Sequence, residues 1–372
     1  MTPCTYGRFG WRGFEVLLKG NDMTTCDGCD LLERLSNADA VAGREREVRS
    51  MLEEELEGCY DRLVHDGLGS ALFMSAGTEP NPVRVMFAAH MDEVGFMVRH
   101  ISDIGMLHLT VLGGVLDASK RMQRVRVTRS DGGKVFGILN AKVAADGSVE
   151  DVYVDLGCET REEVEALGVG IGDMVTFASE AMSLAGDKVA GKALDDRAGL
   201  YVLSRALERL HAQGHPAEVW MAATSSEEVG TRGGKTSSSL VQPDVFISVD
   251  VASGSDLSRD FTNHRKLGDG CMVIHYDKTM VPHEGLLAHV RSLAREQGIP
   301  IQLDMLGGGG TDAGTAHLEG SGRAALVIGI PLRGCHGAWS QASRSDIQSA
   351  IDLVCAIATS FDRKTFESVI EF

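Results

Sequence analysis

The stretch AEVWMAATSSEEVG, residues 217–230, joins a short apolar run to two adjacent glutamates, Glu227 and Glu228. The run AEVWMAAT has the length and composition of a buried strand. On a solvated turn, the repulsion between two neighbouring carboxylates costs little free energy. Inside a cleft, the same pair needs a cation nearby. The stretch therefore predicts a strand and leaves open whether the glutamates lie on the surface or in a site.

Three further apolar runs have the same character. They are VRVMFAAH, which ends at His90; DVFISVDVA, which contains Asp250; and RAALVIGIPL, which precedes His336. Between the runs lie amphipathic patterns with helical spacing, such as RAGLYVLSRALERLHAQG. Strands that alternate with helices predict an α/β fold, with an open and mostly parallel sheet and helices on both faces.

Residues 94–186 show a different pattern, of short strands separated by Gly- and Asp-rich turns with almost no helix. We interpret them as a small β-rich domain inserted into the α/β domain, which would comprise residues 23–93 and 187–372. Residues 1–22 lack the amphipathic pattern that follows Met23. We interpret them as an N-terminal extension, which is not native if translation starts at Met23.

Composition narrows the classes of function. The chain has 372 residues, of which 43% are hydrophobic and 24% charged, with a formal net charge of -17. This acidity argues against nucleic-acid or membrane partners, because both carry negative charge. We find no apolar run of about 18 residues that could span a bilayer and no secretory signal, so we expect a cytoplasmic protein. The eight scattered cysteines fit reduced thiols, and CDGC, residues 26–29, lacks the second pair of a zinc ribbon.

Polar residues follow or end several of the predicted strands. In open α/β sheets the ligand site lies beyond the carboxyl ends of the strands. The residues there are His90, Asp92, Asp195, Asp196, Glu227, Glu228, Asp250 and His336. Taken alone, each of these residues could have a purely structural role. The segment DDRAG, for example, is typical of the start of a helix. Together, two imidazoles and several carboxylates suit Zn²⁺, Co²⁺ or Mn²⁺, and a pair of ions would need a bridging carboxylate and an unligated base.

With these segments assembled, the sequence resembles the tetrahedral aminopeptidases, the glutamyl-aminopeptidase-like dinuclear metallopeptidases that include the FrvX-type proteins. The matching motifs are AAHMDEVGFMV, GKALDDRAGLYVL, SSEEVGTRGG, FISVDVA and GGGGTDAGTAHLEGSGRAALVIGIPLRGCH. The resemblance covers the chain from about residue 30 to its end. It implies an aminopeptidase that removes N-terminal residues from peptides with two divalent ions per subunit, Zn²⁺ or Co²⁺, with Mn²⁺ as a further option. It also implies a homo-oligomer, in this family a tetrahedral dodecamer, with the inserted domain serving oligomerisation.

The resemblance assigns roles residue by residue. Asp195 would bridge the two ions. His90 and Asp250 would complete one site, and Glu228 and His336 the other. Glu227 would be the general base and then the acid that protonates the leaving amine, and Asp92 would orient His90.

Two motifs leave questions open. The last ligand of the family is commonly followed by serine and preceded by an RY context, whereas this chain has RGCHGAWS around His336. This change puts substrate preference in doubt. The loop GGGGTDAGT, residues 307–315, either contacts substrate through Thr311 and Asp312 or is a tight turn in which Asp312 caps a helix.

Two other functions fit the same motifs. A dinuclear carboxypeptidase or N-acyl amino acid deacylase would need a cation for the free carboxylate of its substrate, and Arg197, Arg232 or Arg333 could supply it. A catalytically silent family member would act as an assembly protein. All the expected ligands and the base are present, which favours an enzyme.

Overall fold

The computed structural model describes residues 30–255 and 258–371. The expected N-terminal extension, the alternative start at Met23 and the CDGC pair lie outside the described residues. The strands are β1 (Arg62–His65), β2 (Ala71–Ser75), β3 (Arg84–His90), β4 (Gly95–Ile101), β5 (Met106–Leu112), β6 (Gln123–Thr128), β7 (Lys134–Val143), β8 (Val149–Asp155), β9 (Met174–Phe177), β10 (Met182–Leu184), β11 (Lys188–Gly191), β12 (Glu218–Thr224), β13 (Val245–Ser253), β14 (Cys271–Ile274), β15 (Ile301–Asp304), β16 (Ala324–Arg333) and β17 (Ser340–Ser343). The helices are α1 (Leu31–Asn37), α2 (Arg46–Glu55), α3 (Arg161–Ala166), α4 (Leu194–Gln213), α5 (Arg232–Val241), α6 (Glu284–Gln297), α7 (Asp312–Ala316), α8 (Arg344–Ser360) and α9 (Arg363–Ile370).

The larger sheet confirms the predicted α/β fold. Its main path runs β1-β2-β12-β3-β13-β16-β17-β11-β10, and β14 pairs with β16 and β15. The four central strands, β12, β3, β13 and β16, are parallel. The flanking strands pair in antiparallel fashion, except β15, which is parallel to β14. The sheet is therefore mixed, with a parallel centre. The carboxyl ends of the central strands meet at one edge, where Thr224 lies opposite His90.

Helices cover both faces of this sheet, as the alternation predicts. On β3, Val85 and Phe87 join a core that includes residues of α1, α2, α4, α6 and α8. Met86 and Ala88 point the other way and join a second core with residues of α5 and α7. Because both faces of the central strands are buried, their sequences are apolar throughout rather than alternating.

The second sheet is a closed barrel of six antiparallel strands in the order β4-β5-β8-β7-β6-β9. Its core contains Phe96, Val125 and Phe177. The barrel follows β3 in the chain and precedes the strands that return to the large sheet, within the stretch predicted as a β-rich insertion. β10 also falls in that stretch by sequence, but it pairs with β11 of the large sheet.

A buried network of charges connects the barrel to the large sheet through Asp39, which is fully buried. Arg126 of β6 donates two hydrogen bonds to its carboxylate, and the hydroxyl of Thr176 donates a third. The ammonium groups of Lys134 and Lys192 lie 2.8 and 3.2 Å from its oxygens. Although burial raises it, the positive charges of Lys192 and Arg126 hold the pKa of Asp39 well below its usual range.

The network continues to Glu93 on the far side of Lys192. Lys192 Nζ donates to Glu93 Oε1 at 2.6 Å, and Arg197 Nη2 donates to the same oxygen at 3.2 Å. Arg197 also donates to the main-chain carbonyls of Leu35, Ala38 and Met91. The end of β3, the start of α4 and the segment after α1 are therefore held in one arrangement.

None of the described helices is long and apolar enough to cross a lipid bilayer. The cysteines within the described ranges, Cys59, Cys158, Cys271, Cys335 and Cys355, all carry free thiols.

We predict that Asp39→Asn destabilises the chain by about 3–5 kcal/mol, because it leaves buried cations without their anion. Folding lowers the pKa of Asp39, so its contribution is complete above the unfolded pKa of about 4 and is lost as the pH falls through the lower folded value. Urea unfolding followed by circular dichroism at several pH values measures both effects. Asp131→Asn is the matched control, because Asp131 pairs with Arg129 at the surface with 64% of its side chain exposed. Equal losses in the two variants would contradict the prediction.

Candidate metal centre

His90 ends the central strand β3 and is buried at the carboxyl edge of the sheet. Its Nδ1 lies 2.8 Å from the main-chain carbonyl of Asp92, which can only accept, so Nδ1 carries the proton. Nε2 then faces Asp195 Oδ1 at 3.1 Å. The nitrogen that remains available as a ligand therefore points at the predicted bridging carboxylate.

Asp195 lies at the start of α4, where its backbone and that of Asp196 are not helical. Its second oxygen, Oδ2, is 3.2 Å from His336 Nε2, and Cys335 Sγ donates to the same oxygen at 2.8 Å. Although burial raises it, the hydrogen bonds with His336 and His90 lower the pKa of Asp195. One carboxylate thus lies between two imidazoles, one at the end of β3 and the other in the segment after β16.

The two adjacent glutamates point to different partners. Glu227 Oε2 lies 3.9 Å from His90 Nε2, whereas Glu228 Oε1 lies 3.7 Å from His336 Nε2. Ser226, just before them, has a left-handed backbone with φ of 62°. Non-glycine residues in this region cluster at functional sites, because the conformation costs free energy. The pair therefore lies in the site and not on a solvated turn.

Asp92 holds the glutamates in place. The main-chain N–H groups of Glu227 and Glu228 donate to its two carboxylate oxygens at 2.9 and 3.1 Å. The carboxylate also lies 3.5 Å from His90 Nδ1. Asp92 is thus fixed between the end of β3 and the glutamate segment, and its partners on the glutamate side could not be read from the sequence.

Asp250 on β13 completes a group with His90 and Asp195 whose ligand atoms all lie within 4.8 Å of one another. A second group with the same spacing contains Asp195, Cys335 and His336. The two groups share Asp195. Both have the donors that a divalent ion needs.

The electrostatics of the site show a shortage of positive charge. Burial raises the pKa of Glu227 well above its usual value, that of Glu228 to about 8 and that of Asp250 to about 7. The pKa of His336 is also raised, to about 9, because the hydrogen bond with Asp195 stabilises its positively charged form. The buried cations nearby, Lys192 and Arg197, bind Glu93 instead.

An orphaned oxygen shows that the residues present fit metal ions. Glu228 Oε1 is buried and has no hydrogen-bond partner among the described residues. An unpaired buried carboxylate oxygen is costly. A divalent cation would supply both the missing partner and the missing charge, so the donor set and its surroundings fit the metal centre that the motifs predict.

Two of the residues singled out in the sequence, Asp196 and Asp312, make structural side-chain contacts instead. Asp196 accepts hydrogen bonds from the N–H of Gly199, as a helix cap does, and from the N–H of His90. Asp312 is buried, with its carboxylate bonded to the hydroxyl of Thr224 and to the N–H of Gly234. Thr311 precedes α7 as its N-cap residue and makes no side-chain capping bond. Asp312 is thus held by contacts with β12 and α5 and does not cap α7 as the structural alternative expected, and substrate contact by Thr311 and Asp312 stays a prediction.

Sequence reasoning missed three supporting residues, Glu45, Glu93 and Lys192. Glu45 Oε1 accepts hydrogen bonds from Ser225 Oγ and Ser226 N, which fixes the turn before the glutamates. Glu93 and Lys192 belong to the charge network behind the site. A signal was present for the last two, because Glu93 directly follows Asp92 and Lys192 lies three residues before Asp195, each within a motif that carries a predicted site residue.

Comparison with known proteins gives a consistent result. Residues 69–353 match the M42 glutamyl aminopeptidase family. FrvX of Escherichia coli (strain K12) is 32% identical over 355 residues, which cover 92% of this chain and 98% of that protein.

Solved structures agree with the sequence relatives. A TET aminopeptidase from a marine-sediment Thaumarchaeota archaeon matches with a TM-score of 0.87 and 36% identity, over 91% of this chain and 98% of that one. A TET peptidase of Pyrococcus horikoshii, which can assemble into a tetrahedron or a large octahedral shell, matches with a TM-score of 0.80 and 26% identity. That match covers 89% of this chain and 99% of the other.

We predict that Zn²⁺ raises the melting temperature of the metal-depleted protein and that Asp195→Ala abolishes the rise. Binding to the folded state alone stabilises it by about 2.7 kcal/mol when the free ion is at 100 times its Kd. Differential scanning fluorimetry with and without Zn²⁺ measures the shift. His65→Ala serves as the control, since His65 is exposed and pairs with Glu53 away from the site. A full shift in Asp195→Ala would rule out this centre.

Proposed function

The chain belongs to the M42 glutamyl aminopeptidase family and is an aminopeptidase, and we propose that it removes N-terminal residues from peptides with two divalent ions and a glutamate base. The observation that carries the proposal is the position of Asp195, whose two oxygens face the imidazoles of His90 and His336. A pair of ions would require a shared carboxylate that has a further ligand, such as an imidazole, beside each of its two oxygens.

In this proposal the chain offers one set of ligands on each side of Asp195. His90 and Asp250 serve one ion, and Glu228 and His336 serve the other. The donors suit Zn²⁺ or Co²⁺, with Mn²⁺ as a further option. When bound, such ions lower the pKa of water and polarise the scissile carbonyl.

Glu227 is the proposed base. Its carboxylate lies 3.9 Å from His90 Nε2, whereas that of Glu228 lies near His336. It can therefore hold a proton at Oε2 without leaving the site, and deliver the proton to the leaving nitrogen when the peptide bond breaks. Asp92 keeps this carboxylate in position through the two main-chain N–H groups.

The charge of the centre suits the free amino end of a peptide. The carboxylates of Asp195 and Glu228 lie together beside a small cavity that Val94 also lines. Carboxylates at such a site favour an ammonium group over a free carboxylate.

A carboxypeptidase or deacylase is not favoured. Such an enzyme needs a cation that can reach a substrate carboxylate. Arg197 is fully buried and donates to Glu93 and to main-chain carbonyls. Arg197 therefore cannot serve that purpose, while Arg232 and Arg333 stay candidates; the relatives that are named as lysyl and glutamyl aminopeptidases weigh against the alternative as a whole.

We also propose that the barrel supplies a contact surface for a homo-oligomer. Met122, Phe136 and Ile138 are large apolar residues with 77%, 47% and 49% of their surface exposed. They lie together, because β6 and β7 pair with Arg124 opposite Ile138, and Asn140 contacts Met122. Exposed apolar patches of this kind mark protein interfaces.

We predict that Glu227→Gln lowers kcat by about 10²- to 10⁴-fold, because the amide cannot accept the proton. Metal content should be unchanged, since Glu227 is not a proposed ligand. Hydrolysis of a panel of aminoacyl anilides measures the rate, and inductively coupled plasma mass spectrometry measures the metal. Glu57→Gln, an exposed glutamate on the surface, is the matched control. A Glu227→Gln enzyme with near-normal kcat would refute the assignment.

We predict that the double substitution Met122→Asp and Ile138→Asp dissociates the oligomer, because charge on both residues opposes burial of the patch. Size-exclusion chromatography with light scattering gives the molar mass. Lys142→Glu is the control, because Lys142 lies on β7 with 71% of its side chain exposed and belongs to no apolar patch. A monomeric wild-type chain, or an unchanged mass in the double variant, would refute the role of this surface.

A further inference from the structure

Cys335 and His336 approach the same oxygen although they are consecutive in the chain. Cys335 Sγ donates to Asp195 Oδ2 at 2.8 Å, and His336 Nε2 lies 3.2 Å from that oxygen. In an extended strand, neighbouring side chains point to opposite faces. Here the backbone is left-handed at Gly334 and at His336, with φ of 67° and 57°. The turn therefore directs both side chains to one point, at a conformational cost for the histidine.

The donor atoms are spaced for a single ion. Those of Asp195, Cys335 and His336 all lie within 4.8 Å of one another. Zinc holds nitrogen and oxygen ligands at about 2.0–2.2 Å and sulfur at about 2.3 Å, so donors around one ion are less than 5 Å apart. The thiol meets this condition as well as the imidazole does.

A second observation points to a cation at this place. Glu228 Oε1 is 3.7 Å from His336 Nε2 and is buried without a hydrogen-bond partner among the described residues. The side chain of Glu228 is only 6% exposed, so water does not easily reach it. The unpartnered oxygen and the thiol thus flank the same imidazole.

We propose that Cys335 is a sulfur ligand of the ion held by Asp195, Glu228 and His336. This inference rests on the proposed metal centre and deepens it. When the ion binds, the S–H bond is replaced by a sulfur–metal bond, and the proton leaves to solvent. The departure RGCHG then changes the ligand set of one site from nitrogen and oxygen to nitrogen, oxygen and sulfur.

A thiolate ligand changes which ion the site accepts. Sulfur favours Zn²⁺ and Co²⁺, whereas Mn²⁺ prefers oxygen ligands. Cys335 therefore makes this site selective against Mn²⁺, while the site of His90 and Asp250 retains a nitrogen and oxygen set.

Cobalt spectroscopy tests the proposal without recourse to activity. The metal-depleted full-length chain is titrated with Co²⁺, and absorption is recorded from the near ultraviolet to the visible, with bound cobalt counted by mass spectrometry. We expect a thiolate-to-cobalt charge-transfer band in the wild type that is lost in Cys335→Ser. The double variant Cys26→Ser and Cys29→Ser controls for the CDGC pair, and Cys158→Ser controls for a thiol in another part of the fold; both should retain the band.

The outcomes separate this inference from the metal centre itself. Cobalt that binds without the band, or a band that disappears with Cys26 and Cys29 instead, overturns the role of Cys335 and leaves the centre standing. Failure to bind cobalt at all overturns both. Circular dichroism checks that Cys335→Ser folds. If it does not, zinc X-ray absorption of the Cys26→Ser and Cys29→Ser chain decides: sulfur at about 2.3 Å supports the ligand, and only nitrogen and oxygen scatterers exclude it.

Discussion

The site depends on a buried set of charges that includes none of the proposed ligands. Lys192 and Arg197 bracket Asp195 in the chain, and both donate to Glu93, which follows Asp92. The carboxylate of Asp39 joins the same lysine to the barrel. Burying charged side chains costs free energy unless each lies close to an opposite charge. Few arrangements of these residues are therefore stable. The start of α4 and the end of β3 are therefore fixed relative to each other before any metal ion arrives.

Much of the fold could be predicted from local patterns. The runs ending at His90 and Thr224 are strands because they are short and apolar, and the helices between such runs have clear periodicity. The antiparallel flanks could not be predicted in the same way, since β10 and β17 have only three and four residues. Pairing of such short strands is decided by what they pack against and not by their own composition.

The sequence indicated candidate site residues where they follow predicted strands. It did not indicate the role of a side chain that is set by contacts with residues far away in the chain. Glu227 and Glu228 do diverge toward different imidazoles, as the metal hypothesis requires. By contrast, Arg197 looks available for a substrate in the sequence, yet its partner Glu93 is 104 residues away and buries it. Asp312 likewise bonds to Thr224, 88 residues away. Contacts at such separations leave no trace in a single sequence.

The carboxylate of Asp92 accepts hydrogen bonds from two consecutive main-chain N–H groups. Contacts within the chain therefore fix the conformation of the loop that carries the two glutamates. A loop whose conformation is fixed by hydrogen bonds within the chain needs little reorganisation when a ligand binds beside it. The separation of the two glutamate side chains is therefore a property of the fold itself, and a substitution at Asp92 would disturb both of them at once.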